Sequence, residues 1–307
     1  MIKFENSDTS PYKIDILIIT YNQQDYISQA IDGILSQEHE FSYRINIADD
    51  FSTDKTREII TQYKEKYPNI INLILSTRNL GGKKNFINGT KYLLGEYISC
   101  LDGDDYWCDN KKLQKQISFL EENPDFVGCA HNTLVIDGEG ITKEIKFRKK
   151  IDDTYTIRDL LDGSISFPSS SLIFRNVFHG KIPDTQNNAN AEDLFFSILH
   201  AQYGKIKYID KVMSVYRSHG QGEWSSMQDE DKVKKTIQIL TYAENLMEGK
   251  NKLYSKYGIK KSFKNLYKQA TKNEKQNFIY RIINYVKFRI LCYQIKIYEL
   301  KKKYERV

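Results

Sequence analysis

Carboxylates cluster at one point of this sequence in a way that suits metal-assisted chemistry. Leu101-Asp102-Gly103-Asp104-Asp105 follows a short apolar run. In extended chain, side chains two apart share a face, so Asp102 and Asp104 can converge. Carboxylates that close repel one another unless a cation lies between them. Hard oxygen donors with room for water suit Mg2+ or Mn2+, ions commonly shared with substrate phosphates. A second acidic pair, Asp49-Asp50, also follows an apolar run. One of its carboxylates can accept the N–H of a pyrimidine base, with Ser52 and Thr53 capping the next helix. Thr20-Tyr21-Asn22 ends the first apolar run, where the Tyr ring can flank a base.

These segments need a scaffold, and the pattern around them predicts one. Ile14–Thr20 is nearly continuous apolar sequence, as expected of a strand covered on both faces. Gln23–Ser36 places Ile27, Ala30, Ile31, Ile34 and Leu35 at helical spacing. Strand and helix then alternate: Arg44–Asp50, Asp54–Tyr67, Ile70–Ser76, Lys83–Leu94, Tyr97–Leu101. Such alternation predicts right-handed βαβ units and a mainly parallel sheet flanked by helices, an α/β fold. Ligands of such sheets bind beyond the carboxyl ends of the strands, where the three segments fall. Further on we expect a helix at Leu113–Asn123, a strand at Phe126–Ile136 and a return strand at Ile141–Phe147. A strand at Ser166–Phe174, a helix at Glu192–Tyr203 and strands at Lys205–Ile209 and Lys211–Arg217 follow. Helices begin at about Asp229.

The chain has 307 residues, 40% hydrophobic and 28% charged, which excludes a disordered chain or a disulfide-stapled miniprotein. No apolar core near the N-terminus reads as an export signal, and no run of about 18 apolar residues could span a bilayer. Cys100, Cys108, Cys129 and Cys292 form no CxxC pair or zinc spacing and read as buried thiols. A cytoplasmic protein is expected. The net charge of +6 is unevenly spread. Residues 250–307 hold 17 Lys and Arg against Glu274, Glu299 and Glu305, a net +14, which leaves −8 for the rest. A basic tail on an acidic body suggests an anionic partner. Phe278, Ile282, Tyr285, Val286, Ile290, Tyr293 and Ile297 can form one helical face, so an anionic membrane surface fits; a cap on the main domain and a homodimer contact are the alternatives. No recognition motif accompanies the charge, so no nucleic acid is expected.

ITYNQQDYISQAI, ADDFSTDKT and NLGGKKNFINGTKYLLGEYISCLDGDD, in that order, resemble the family 2 glycosyltransferases over roughly Lys13–Gly220. The resemblance implies a GT-A fold, Rossmann-like, and inverting transfer of a sugar from a nucleotide diphosphate donor. Thr20, Tyr21, Asn22 and Asp50, or its neighbour Asp49, would then hold the nucleoside, with Asp102 and Gly103 also on the nucleotide. Asp102 and Asp104 would be the DxD aspartates that hold Mn2+ or Mg2+. Family members usually have Gly where Phe51 stands. Ala191-Glu192-Asp193-Leu194 is similar to the acidic pair that supplies the catalytic base, Asp193 here, with Glu192 orienting the acceptor. Tyr216-Arg217-Ser218-His219-Gly220 resembles a late loop whose His joins the metal and whose basic residue meets phosphate. Arg78 and Lys83, about the Gly81-Gly82 turn, can reach the diphosphate. Ser169-Ser170-Ser171, after Pro168, falls where the family places an acceptor-facing strand, with Ser170 and Ser171 the acceptor candidates, and Trp107 and Trp224 can stack on sugar rings.

The expected organisation is a catalytic domain over 1–228, its nucleotide-sugar-binding half 1–110 and its acceptor half 111–228, followed by a basic helical extension over 229–307. The expected enzyme is a hexosyl- or N-acetylhexosaminyltransferase using a UDP-sugar on a glycan or lipid-linked acceptor in cell-surface polysaccharide synthesis, peripheral on the inner face of the cytoplasmic membrane. Two other readings are a nucleotidyltransferase and a non-catalytic sugar-nucleotide-binding module. The first usually carries a Gly-rich basic loop after the first strand, whereas residues 20–35 hold only Gly33 and no Lys or Arg. Neither GxGxxG nor GxxxxGK[ST] occurs.

Overall fold

The computed structural model describes residues 11–137, 139–145, 153–163, 165–183, 193–219 and 227–272. These form two compact units, one within residues 1–155 and 167–220, the other within 156–166 and 221–307.

The first unit is built on a sheet in the order β3-β2-β1-β4-β9-β6-β10-β5. β1 (Ile14–Thr20), β2 (Tyr43–Asp49), β3 (Ile71–Leu75) and β4 (Tyr97–Asp102) run parallel, linked through α1 (Ile27–Leu35), α2 (Thr56–Lys66) and α3 (Gly82–Thr90). Beyond β4 the sheet is mixed. β9 (Ile173–Arg175) lies antiparallel between β4 and β6 (Phe126–Asp137), and β10 (Lys205–Ser218) runs parallel to β6. β5 (Tyr106–Trp107), β7 (Thr142–Ile145) and β8 (Thr154–Tyr155) pair antiparallel at its margins, while α4 (Lys112–Glu122) and α6 (Asp193–His200) complete the unit.

The apolar run of β1 is explained by cover on both faces. Ile14, Ile16 and Ile18 join Ile27, Ile31 and Ile34 of α1, Ile60 of α2 and Leu113, Ile117 and Leu120 of α4 in one core. On the other face Leu17 lies against Gly89 of α3. Each such side chain, fully buried, is worth about 1.5–3 kcal/mol. One polar residue interrupts the run usefully. The buried Asp15 carboxylate accepts two bonds from Arg44 of β2 (2.8 and 3.0 Å) and the N–H groups of Leu94 and Gly95 (both 2.7 Å). It thereby fixes the entry to β4, the strand that delivers Asp102.

The second unit contains α5 (Ile157–Leu161), α7 (Asp229–Leu246) and α8 (Gly249–Lys272). A capping box starts α5, with the Asp159 carboxylate accepting the Thr156 N–H at 2.8 Å. The Arg158 guanidinium lies over the Tyr254 ring, and Ser255 donates to the Leu240 carbonyl at 2.5 Å, joining α8 to α7. Among the described residues no helix is long and apolar enough to cross a membrane. Of the basic tail, residues 273–307 lie outside the described residues, as does Cys292.

Several expectations are corrected. Residues 156–166, placed by sequence in the acceptor half, belong to the helical unit because α5 packs on α8. Ser166–Phe174 is not one strand: Pro168 leads into a 3-10 turn at Ser169–Ser171, and the strand is Ile173–Arg175. The two strands expected at 205–217 are one, with register shifts around Asp210 absorbing the polar interruption. Cys108 is exposed, not buried. Ser52 and Thr53 do not cap α2, which begins at Thr56; both bond to the β1 loop instead.

Candidate active site

The loops after β1 and β2 are stitched to one another. Thr20 O accepts the Asp50 N–H at 3.0 Å, and the Asn22 N–H donates to Ser52 Oγ at 2.9 Å. Asn22 Oδ1 takes the Thr53 N–H at 2.8 Å, with Asn22 in the left-handed region (φ 52°) that its short polar side chain tolerates. Asp49 and Asp50, alternatives by sequence, have different tasks here. Asp49 is fully buried, paired with Arg57 Nε at 2.5 Å and with the Ser52 N–H; Arg57 also donates to the Ser76 carbonyl. Asp50 clasps the β3–α3 loop through the N–H groups of Leu80 and Gly81 (2.7 and 2.8 Å). That loop carries Arg78, exposed, and leads to Lys83, half-buried at the start of α3, whose ammonium is pushed below the ordinary lysine value by burial. Tyr21 is 44% exposed and Thr20 buried with its hydroxyl unpartnered.

At the end of β4 the acidic run divides its work. Asp102 Oδ2 accepts the Ser169 hydroxyl at 3.0 Å, while the Ser169 N–H donates to Asp193 Oδ2 at 2.9 Å. One serine thus joins the carboxylate that ends β4 to the carboxylate that begins α6. Cys100, on β4, has its thiol pushed up by burial and by the nearby Asp193 and Asp102. Gly103 permits the turn: a Cβ there would lie 2.4 Å from Gln23 Oε1 and 3.1 Å from Thr20 Cβ. Asp104 Oδ2 lies 2.9 Å from His219 Nε2, and this bond raises the imidazole pKa. The His219 ring stacks on Tyr26 at 5.4 Å. Asp105, buried, accepts the Arg217 N–H at 3.0 Å and so fixes the end of β10; the Arg217 guanidinium is held between the Tyr26 and Tyr106 rings.

The structure therefore brings Asp102, Asp193, Asp104 and His219 to adjoining strand and helix ends. It turns others away. Ser170 and Ser171 are fully buried, Ser170 Oγ within 3.2 Å of Ser214 Oγ and Ser171 Oγ donating to the Pro168 carbonyl, so neither faces an acceptor; Ser169 is the member of the triplet at the site. Glu192 and Trp224 lie outside the described residues. Sequence reasoning named Ser169 only together with Ser170 and Ser171 and Asp105 only as part of the acidic run, and it missed Tyr26, which stacks on His219. Pro168, which fixes the chain just before three small hydroxyl residues, was the available signal for Ser169. As for a cation, Asp102, Asp104 and His219 are donor types that suit Mg2+ or Mn2+. Asp104 and His219 are bonded to each other, and among the described residues no three such groups converge on one point. Binding would exchange the Asp104–His219 bond for bonds to the metal.

The sequence profile described as glycosyl transferase family 2 matches residues 15–180, just over half of the chain. The chain belongs to glycosyl transferase family 2. This family 2 member is 33% identical over 218 residues to a protein of Mycobacterium tuberculosis described as uncharacterized, a match covering 69% of this chain and 61% of that one. It spans about three fifths of the length of the first curated relatives it matches. It is also 35% identical over 157 residues to the poly(ribitol-phosphate) beta-glucosyltransferase of Bacillus spizizenii, covering 50% of this chain and 24% of that one. Among solved structures, S. aureus TarS 1-349 in complex with UDP-GlcNAc superimposes with a TM-score of 0.65 at 19% identity, over 90% of this chain and 80% of that one. At that identity the likeness establishes the GT-A fold, and the family 2 chain has the mixed α/β sheet that goes with it.

Proposed function

We propose that this chain is an inverting glycosyltransferase that moves a sugar from a nucleoside diphosphate donor, a UDP-sugar, to a hydroxyl of a glycan or lipid-linked acceptor in cell-surface polysaccharide synthesis. The observation that carries the reading is Ser169, which holds Asp193 and Asp102 on one residue. An acceptor hydroxyl is a poor nucleophile, and a positioned carboxylate overcomes this by taking its proton as the new bond forms. Asp193 is that base. The acceptor oxygen bonds to the anomeric carbon, its proton passes to Asp193, and the bond to the diphosphate breaks with its electron pair leaving on the nucleoside diphosphate. A single base without a second protein nucleophile is the logic of one displacement; inversion itself is carried over from the family resemblance.

The β1 and β2 loops receive the nucleoside, with Tyr21 beside it and Asp50 holding the β3–α3 loop in place. Arg78 and Lys83 of that loop and of the start of α3 meet the diphosphate, where a helix N-terminus also favours anions. Asp102, Asp104 and His219 are the groups that would hold a divalent cation, Mn2+ or Mg2+. When bound, that ion supplies positive charge to the leaving diphosphate. The UDP-GlcNAc of the TarS structure supports a UDP donor, and the Bacillus spizizenii relative, a poly(ribitol-phosphate) beta-glucosyltransferase, supports a polymer as acceptor. A panel of UDP-, GDP- and dTDP-sugars with Mn2+ tests the reading. Release of nucleoside diphosphate from one donor supports it, whereas binding without release, with acceptor glycans supplied, would make the chain a sugar-nucleotide-binding module.

A further inference from the structure

Phe51 holds a conformation ill-suited to its side chain. Its φ is 65°, in the left-handed region that a bulky L-residue enters only under strain. The family resemblance places glycine at this position, which would take that backbone without cost. Nor is the strain recovered by burial, since the ring remains 40% exposed. One side of it lies over Arg57, 5.2 Å from the ring centroid, and Arg57 is pinned by Asp49 and the Ser76 carbonyl. The ring therefore rests on a fixed support.

What it faces is set by the stitching of the two loops. The Asp50 N–H bonds to Thr20 O, and the Asn22 N–H bonds to Ser52 Oγ. Tyr21 and Phe51 are the residues enclosed between these two cross-links, one on each loop. Both are exposed aromatics, at the carboxyl ends of two adjacent parallel strands where ligands of such sheets bind. Asp102 ends β4, on the far side of β1 from β2, and Ser169 ties Asp193 to it. A donor whose sugar reaches Asp193 thus presents its other end, the base, to β1 and β2.

We propose that Phe51 is a stacking platform for the donor nucleobase, retained in place of a relaxed residue for the sake of its ring. This rests on the nucleotide-donor reading above and adds to it a residue that grips the base. Stacking on an aromatic ring tolerates any base, so Phe51 contributes affinity while neighbouring polar groups choose the base.

Calorimetric titration of UDP, GDP, dTDP and inorganic pyrophosphate into the full chain, its Phe51→Gly variant and its Phe51→Tyr variant tests this, alongside thermal melting. The platform role predicts that Phe51→Gly melts no lower than wild type, binds the preferred nucleoside diphosphate about tenfold more weakly and binds pyrophosphate unchanged. Phe51→Tyr should restore the affinity. Equal nucleotide affinity in Phe51→Gly, or a lower melting temperature with nucleotide and pyrophosphate affinity falling together, would overturn the proposal and assign the ring to packing on Arg57. A wild-type chain that binds none of the three nucleotides would instead overturn the donor reading on which it rests.

Discussion

At the scale of the residue, the site is a set of carboxylates separated by their partners. Asp102 and Asp193 meet at Ser169, Asp104 meets His219, and Asp105 is consumed in holding the chain before His219. Asp104 is thus the member of the acidic run whose loss should act on the cation first. For Asp104→Ala we expect Mn2+-dependent donor affinity to vanish while metal-independent binding of the nucleoside remains, as read by calorimetry with and without Mn2+. Undiminished Mn2+ dependence would remove Asp104 from the metal site. The place of Asp102 at a strand end was legible, because the apolar run before it reads as a strand. Which of Ser169, Ser170 and Ser171 meets Asp102 was not, because three serines after a proline look alike until the fold buries two of them.

At the scale of the element, strands buried on both faces declared themselves: β1 matches its apolar run residue for residue. β5, β8 and α5, of two to five residues, have no period of their own and exist through pairing with β10 or packing on α8. One element carries a burden that periodicity also hid. Lys112, first residue of α4, is fully buried over the Trp107 ring (4.0 Å), with no hydrogen-bond partner for its ammonium, and burial lowers its pKa to about 7. The unfolded chain keeps that proton up to about pH 10.5, so the folded state loses stability as pH falls from there to about 7. The buried Cys129 thiol nearby is pushed up to about 12 from 9.0, so as the unfolded thiol ionises it removes stability from about pH 8 upward, which leaves the window from 7 to 8 to the lysine. Urea unfolding should therefore show stability rising by about 1 kcal/mol between pH 7 and 8 from this one group. Lys112→Met should abolish that rise and stabilise the protein at pH 7. An unchanged slope in the variant would contradict the account.

At the scale of the whole molecule, buried imidazoles set the acid limit. His200 is fully buried, stacked on Phe174 at 4.2 Å, with its pKa lowered by burial to about 4; His131 is likewise buried and lowered well below the usual value. Both fold neutral, so the unfolded chain binds more protons below about pH 6.5, and stability drops from there toward pH 4. His219 has the opposite sign: its raised pKa contributes stability that is present below 6.5 and lost as pH rises through its folded value. The two buried rings outweigh it, so the melting temperature should fall by on the order of 10 °C between pH 7 and pH 5. His200→Phe should recover roughly half of that loss, and a melting curve indifferent to the substitution would show that the ring carries no such load.

The account turns on Asp193 as the group that takes the acceptor proton. It is tested most directly by measuring donor affinity and nucleoside diphosphate release side by side in wild type and Asp193→Asn. The amide keeps an oxygen to accept the Ser169 N–H, so the predicted result is wild-type donor affinity with turnover lowered by about 10²-fold or more. Turnover equal to wild type in that variant would contradict the account.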